Sequence, residues 1–298
     1  MTLILLYSIF INPINRSVKH RMKKMIKVAF QGERGAYSED AAYHFWQKNI
    51  EAVAHNKFKD IFDSVLNNRC DFGIIPIENS LTGSIHQNID LLLDFHLSIV
   101  GEIILSIKHH LLALPNVKLG NLKSICSHPQ ALEQCSNFLD TLEGIEIVPM
   151  YDTAGSARFI VENNRLDSAA IASSRAGQDY GLHVLKKDIE NNHQNFTRFL
   201  IISKTPQTPK KDAKTSIVFS TKDIPGALFK ALSVFFLREI NLLKIESRPL
   251  RKGPWKYWFY LDFDGSMQEE SCQNAINHLK EITSFLKVLG SYSKGKIV

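Results

Sequence analysis

What most constrains this chain is an alternation that begins twice. Short apolar runs, each long enough for one buried strand, are followed by stretches with apolar residues at helical spacing. The first series predicts a strand over 26–30, then a helix over 38–47 carrying Ala41, Ala42, Phe45 and Trp46. Phe58, Ile61, Phe62, Val65 and Leu66 mark a second helix. Residues 72–77 are almost uninterrupted apolar chain, as in strands covered on both faces. A third helix ends over 89–95, and a long strand runs over 97–107. After Pro115 the series restarts, with strands over 124–126, 145–148 and 169–172 and helices over 130–139, 154–163 and 175–180. Strand–helix alternation of this kind packs as α/β layers. Two series imply two lobes with a cleft between them.

A polar stretch with Pro206 and Pro209 and no periodicity interrupts the pattern over 205–213 and reads as a linker. Beyond it the order is strand 215–219, helix 227–236, strands 242–246 and 258–263, helix 272–280 and strand 285–289. That is the βαββαβ order of the ferredoxin-like unit. The expected division is therefore an extension over 1–24, a two-lobed domain over 25–204, a linker over 205–213 and a second domain over 214–298. The first 24 residues place an apolar run, 3–11, before the basic residues Arg16, Lys19, Arg21, Lys23 and Lys24. A secretory signal has the opposite order, and the run is too short to span a bilayer as a helix. We expect a dispensable extension, with Met22 or Met25 as alternative starts, and no membrane partner.

The formal net charge of +6 is spread along the chain without an aromatic-interleaved basic patch. This argues against nucleic acid and suits a small anionic ligand. Cys70, Cys126, Cys135 and Cys272 are far apart and form no C-x-x-C pair. Reduced thiols in the cytoplasm are expected. His109 and His110 lack a partner at metal-ligand spacing, and Gly32-Glu-Arg-Gly35-Ala-Tyr-Ser38 lacks the Lys-Ser/Thr ending of a phosphate loop. The sequence suggests neither a metal nor a cofactor.

Chemistry gathers instead at the turns where strands run into helices. Glu78-Asn79-Ser80-Leu81-Thr82-Gly83-Ser84, Ser127-His128-Pro129-Gln130, Asp152-Thr153-Ala154-Gly155-Ser156 and Ser173-Ser174-Arg175 all occupy such turns. Singly, each is an ordinary set of helix caps. Together, helix N-termini converging on one cleft suit a small molecule with carboxylates, bound at the carboxyl ends of the strands. Asn195-Phe196-Thr197-Arg198-Phe199 leads into a further apolar strand. There Thr197 and Phe199 face one way and Arg198 the other.

In this order the motifs resemble the prephenate dehydratase family. They are Gly32-x-x-Gly35-Ala-Tyr-Ser38, Pro76-Ile-Glu-Asn-Ser-Leu-Thr-Gly83, Ser127-His-Pro-Gln-Ala-Leu-Glu-Gln-Cys135 and Asp152-Thr-Ala154. Ala169-Ala-Ile-Ala-Ser173, Tyr180-Gly-Leu182 and Asn195-Phe-Thr-Arg-Phe199 complete the set. The C-terminal part resembles an ACT domain, with the signatures Pro225-Gly226-Ala227-Leu228 and Glu246-Ser247-Arg248-Pro249.

The resemblance implies a two-lobed, periplasmic-binding-protein-like catalytic domain, a monofunctional enzyme without cofactor, and a homodimer or homotetramer. It also implies decarboxylating dehydration of prephenate to phenylpyruvate, with L-phenylalanine as feedback inhibitor bound by the residues of the two ACT signatures. Thr197 is then expected to assist the departing hydroxyl, and Asn79 and Gln130 to orient the substrate. Ser38, Glu78, Ser80 and Thr153 are expected nearby, with Phe199 packed on the ring. Arg198 is expected to face away from Thr197 and to pair with Glu78. The competing expectations are arogenate dehydratase, which the stretches 257–263 and 285–292 resemble, and a non-catalytic two-lobed amino-acid-binding protein.

Overall fold

The structure, a computed structural model, describes residues 25–47, 50–209, 212–249 and 257–298. The expected extension over 1–24 and residues 210–211 of the expected linker lie outside the described residues. Three sheets organise the molecule.

The first lobe is a sheet with strand order Ile50–His55, Ile26–Gln31, Phe72–Asn79, Phe196–Ser203, Ser98–Ser106. The first three strands pair in parallel. Phe196–Ser203, entering last, is inserted antiparallel between Phe72–Asn79 and Ser98–Ser106. Burial on both faces explains the continuous apolar run through Ile74, Ile75 and Ile77, all fully buried. The helices Tyr37–Trp46, Phe58–Leu66 and His86–Asp94 pack against this sheet.

The second lobe has strand order His183–Lys186, His110–Ala113, Ser168–Ala172, Ser124–Ser127, Glu146–Pro149. The helix expected over 130–139 is two helices, Pro129–Gln134 and Ser136–Leu139. The Asn191 side chain enters the break: its Oδ1 accepts from Asn137 N (3.0 Å) and its Nδ2 donates to Glu133 O (3.3 Å). The two lobes meet tightly at Gly35 (φ +87°), where an added Cβ would lie 2.6 Å from Ala176 Cα. Only glycine fits both that backbone angle and that approach.

The third sheet has order Leu242–Pro249, Tyr257–Asp264, Ala213–Thr221, Thr283–Ser293 and carries the helices Ala227–Phe236 and Glu270–Ile282. Phe219, Phe235, Leu261 and Phe263 form its own core with those helices. Alternate side chains of the same strands, Val218, Tyr260, Leu289 and Tyr292, pack instead into one apolar cluster with Ile99, Leu200 and Ile202 of the first lobe. The ferredoxin-like domain thus shares a core with the sheet of the first lobe. Its C-terminal residues continue onto that sheet's edge: Ile104 N donates to Lys296 O (3.0 Å) and Ser106 N to Val298 O (2.8 Å). Pairing of this kind covers an otherwise open edge.

Candidate functional site

The chain crosses between the lobes twice, and the crossings lie side by side. Ile107 N donates to Asn195 O (2.8 Å) and Ile189 N to His109 O (2.9 Å). Beside this hinge is a cleft of about 430 Å³, within the roughly 300–1,000 Å³ usual for small-molecule sites. Among the expected residues, Ser38, Asn79, Gln130, Thr153, Thr197 and Phe199 line it. Ser38 and Thr153 belong to the first turns of the helices Tyr37–Trp46 and Thr153–Glu162. Among the described residues the lining contains no Lys or Arg, so helix N-termini are the main positive potential they offer to an anion. The cysteines are buried and free, and burial pushes the Cys126 thiol up to about 11 and that of Cys135 to about 12. Neither is a nucleophile at neutral pH.

Asn79 and Thr197 sit opposite each other on paired strands. The Asn79 amide oxygen accepts from Leu81 N (2.9 Å) and Thr82 N (3.0 Å), which fixes its orientation. Its Nδ2 therefore faces Thr197 Oγ1 (3.0 Å) and Asn195 Oδ1 (2.7 Å) and donates to both. Because Thr197 Oγ1 accepts that bond, its own proton is left for the cleft.

Gln130 is exposed at the rim and acts through Thr82: its Nε2 donates to Thr82 Oγ1 (2.9 Å), which donates to Asn79 Oδ1 (3.2 Å). The glutamine that reaches the buried chain is Gln134, one helical turn later, whose Oε1 accepts from Asn195 Nδ2 (3.0 Å). The sequence reading missed Gln134, although the i, i+4 spacing puts both glutamines on one helix face. It also gave no role to Asn195, Tyr37 or His109. Asn195 is fully buried, and the other two line the cleft.

Three expected residues, Ser80, Glu78 and Arg198, lie outside the cleft lining. Ser80 is exposed; its Oγ donates to Gln194 O (2.9 Å) and accepts from Phe196 N (2.9 Å), pinning the start of the Thr197 strand. Glu78 accepts an ion pair from Lys244 (2.9 Å).

Arg198 points away from Thr197, as strand alternation requires, but the expected pair with Glu78 is long at 3.8 Å. Its close partners are Glu102 (2.7 Å) and Asp262 (2.7 Å), and Lys214 also pairs with Glu102 (2.8 Å). The correction has a physical reason. The third sheet lies against this face, so Arg198 is only 12% exposed and a rim carboxylate cannot neutralise it as fully as two buried ones. Burial pushes the Glu102 carboxyl up, but Arg198, Lys214 and the Gly295 N–H together hold it below the usual range.

The expected effector residues divide. Pro225 and Gly226 are exposed at the start of the helix Ala227–Phe236, with Gly226 at φ +74°, and Ala227 and Leu228 are half-buried there. On the strand Leu242–Pro249, Ser247 and Pro249 are exposed, while Glu246 and Arg248 turn to the first lobe. Glu246 accepts from Ser84 Oγ (2.5 Å) and pairs with His86 (3.2 Å); Arg248 pairs with Asp90 (2.6 Å).

A family model described as prephenate dehydratase matches residues 28–207. The chain is 48% identical over 292 residues to arogenate dehydratase/prephenate dehydratase 2, chloroplastic, of Arabidopsis thaliana, covering 94% of this chain and 76% of that protein. It is 39% identical over 274 residues to a bifunctional chorismate mutase/prephenate dehydratase of Aquifex aeolicus (strain VF5), covering 92% and 75%. A solved prephenate dehydratase in complex with L-Phe, from Arthrobacter aurescens, superposes with a TM-score of 0.82 at 30% identity over 90% of each chain.

Proposed function

Because this chain belongs to the prephenate dehydratase family, we propose that its cleft converts prephenate to phenylpyruvate and accepts arogenate, the amino analogue, as a second substrate. The observation that carries this is the Thr197 hydroxyl, held by Asn79 with its proton free at a cleft between two lobes. In the reaction the ring C–carboxylate bond breaks and carbon dioxide leaves. The released electron pair completes the aromatic ring while the ring C–OH bond breaks. Hydroxide departs with a hydrogen bond from Thr197 and is neutralised by a proton from the buffered solvent. Aromatisation supplies the driving force, so the protein's part is alignment and stabilisation of the leaving oxygen. Phe199, 2% exposed and on the same strand face as Thr197, gives the ring an apolar wall.

The same reading makes the C-terminal domain a phenylalanine sensor. It is supported by the L-Phe complex of the Arthrobacter protein and by the open backbone at Gly226, where an added Cβ meets nothing within 4 Å. It also makes the enzyme a homodimer or homotetramer. The edge strand Leu242–Pro249 exposes Leu243 and Ile245, and the helix beside Gly226 exposes Phe229 and Phe236, surface that association would cover. Buried, free thiols fit a reducing compartment, cytoplasm or plastid stroma.

The test is incubation of the purified protein with prephenate and, separately, arogenate, with and without L-phenylalanine, following phenylpyruvate and phenylalanine. Phenylpyruvate from prephenate and phenylalanine from arogenate, both slowed by added phenylalanine, support the whole reading. Turnover of arogenate alone keeps the elimination and replaces the substrate. Binding without turnover of either overturns it in favour of a binding protein.

A further inference from the structure

The bond that Asn79 gives Thr197 is the inner end of a longer chain whose direction is fixed from Asn79 to the His109 Nε2. The backbone N–H groups of Leu81 and Thr82 hold Asn79 Oδ1, so Asn79 Nδ2 must donate to Asn195 Oδ1. Asn195 Nδ2 must then donate to Gln134 Oε1. That oxygen also faces His109 Nε2 at 3.0 Å, and an amide oxygen can only accept. The proton of His109 is therefore on Nε2. Its Nδ1 faces the Tyr37 hydroxyl at 2.8 Å, whose single proton also reaches Lys108 O at 2.7 Å. Turning any one amide round would set two donors or two acceptors face to face inside a buried site.

The chain ties the moving parts together. Tyr37 opens a helix of the first lobe, Gln134 closes one in the second, and His109 and Asn195 lie on the two crossings of the hinge. With its oxygen occupied twice, Gln134 keeps its NH₂ group as an unused donor while lining the cleft.

We propose that His109, held as the neutral Nε2–H tautomer by the Gln134 oxygen, is a positioning residue for the dehydration. It keeps the Gln134 oxygen turned inward, so that the Gln134 NH₂ and the Thr197 hydroxyl remain the donors offered to substrate. The role rests on the dehydratase reading above. Burial also pushes the His109 imidazole below its usual range against the opposing pull of Gln134 and Glu190, which favours the neutral form. Glu190 reaches the His109 backbone N–H (2.9 Å), not the ring, and His110 follows it on the chain.

Removing the ring nitrogens misplaces groups that must be aligned, a loss on the order of 10²-fold when alignment slips by about an ångström. In the full-length protein, His109→Phe is expected to lower kcat by about 10²-fold with KM changed less than about threefold. His109→Gln, which returns an N–H toward Gln134, is expected to recover most of that loss, and Tyr37→Phe to lie between. The imidazole ¹⁵N spectrum of the wild type is expected to show His109 protonated on Nε2. Wild-type kcat in His109→Phe, no recovery in a folded His109→Gln, or a wild-type Nδ1–H tautomer overturns the role. Failure of the wild type on both prephenate and arogenate removes the function and the role together. An Nε2–H spectrum in that case shows that the fault is the reading of the reaction and not of the hydrogen-bond chain.

Discussion

Thr197 and Arg198 are neighbours on one strand, yet the two sides of that strand solve the problem of buried polarity in opposite ways. The hydrogen-bond chain on the Thr197 side uses neutral groups only: a phenol, an imidazole, three amides and a hydroxyl, the amide directions each determined by the next. The Arg198 side uses charge, with Arg198 and Lys214 set against Glu102 and Asp262 where the third sheet covers the catalytic one. Neutral groups stay available to a ligand and can strengthen their bonds as charge develops on it. Paired ions have spent their interaction on each other and hold two domains in register. The alternation of a single strand thus separates chemistry from assembly by one residue.

Breaking the charged side should cost stability most. Arg198→Met leaves two buried carboxylates with one cation, a loss of about 3–5 kcal/mol. Thermal unfolding should fall accordingly, and equal stability in the variant would mean that the cluster holds nothing together. Breaking the neutral side should cost activity instead. Thr197→Val is expected to reduce kcat by about 10²–10³-fold, the cost of losing one donor to a developing oxyanion, with a melting temperature near that of the wild type. If Thr197→Val unfolds the protein while Arg198→Met only slows it, the division proposed here is reversed.

A smaller effect probes whether the charged side also carries a signal. Gly226→Val places a β-branched residue at φ +74° on an exposed turn, strain of about 1–3 kcal/mol. It is expected to abolish inhibition by phenylalanine while leaving uninhibited kcat within about twofold of the wild type. Full inhibition in a folded Gly226→Val would move the effector elsewhere in the molecule.

The same division governs what the sequence disclosed. Thr197, Asn79 and Phe199 were legible because they stand in local motifs at strand ends, and period-two alternation alone turned Arg198 away from the cleft. Its partners were not legible. Glu102 and Asp262 are single carboxylates inside apolar runs: the neighbouring strand Ser98–Ser106 supplies Glu102, and only the docking of the third sheet brings Asp262, each at 2.7 Å from Arg198. Likewise the helix expected over 130–139 hid a break made by Asn191, more than fifty residues on. The strands Ile50–His55, His110–Ala113 and His183–Lys186 passed unnoticed because short runs interrupted by Glu51, His110 or His183 carry no clear period. His109 was set aside as a metal ligand without partners, since no spacing rule announces a hydrogen-bond chain that crosses a hinge.

The smallest effect is the dependence of stability on pH, and it separates the two sides by range. His109, His110 and His55 all have imidazoles held below the usual value, by burial in each case. The unfolded chain therefore takes up their protons first, and stability declines as pH falls below about 6.5. Glu102 is depressed as well, so its contribution is intact above the usual carboxylate range and is lost as pH falls through that range toward its lower folded value. Each proton of difference changes stability by at most about 1.4 kcal/mol per pH unit. Glu39 and Asp152 oppose this trend, because burial raises both. Urea unfolding across pH should therefore show a shallow limb in the imidazole range and a steeper one in the carboxylate range. In Glu102→Gln the second limb should flatten while the first persists, and in His109→Gln the first should weaken while the second persists. Because Tyr37 and Glu190 face His109 from other elements while Arg198 and Lys214 face Glu102, a variant that altered both limbs together would show the two sides of the strand to be one coupled network.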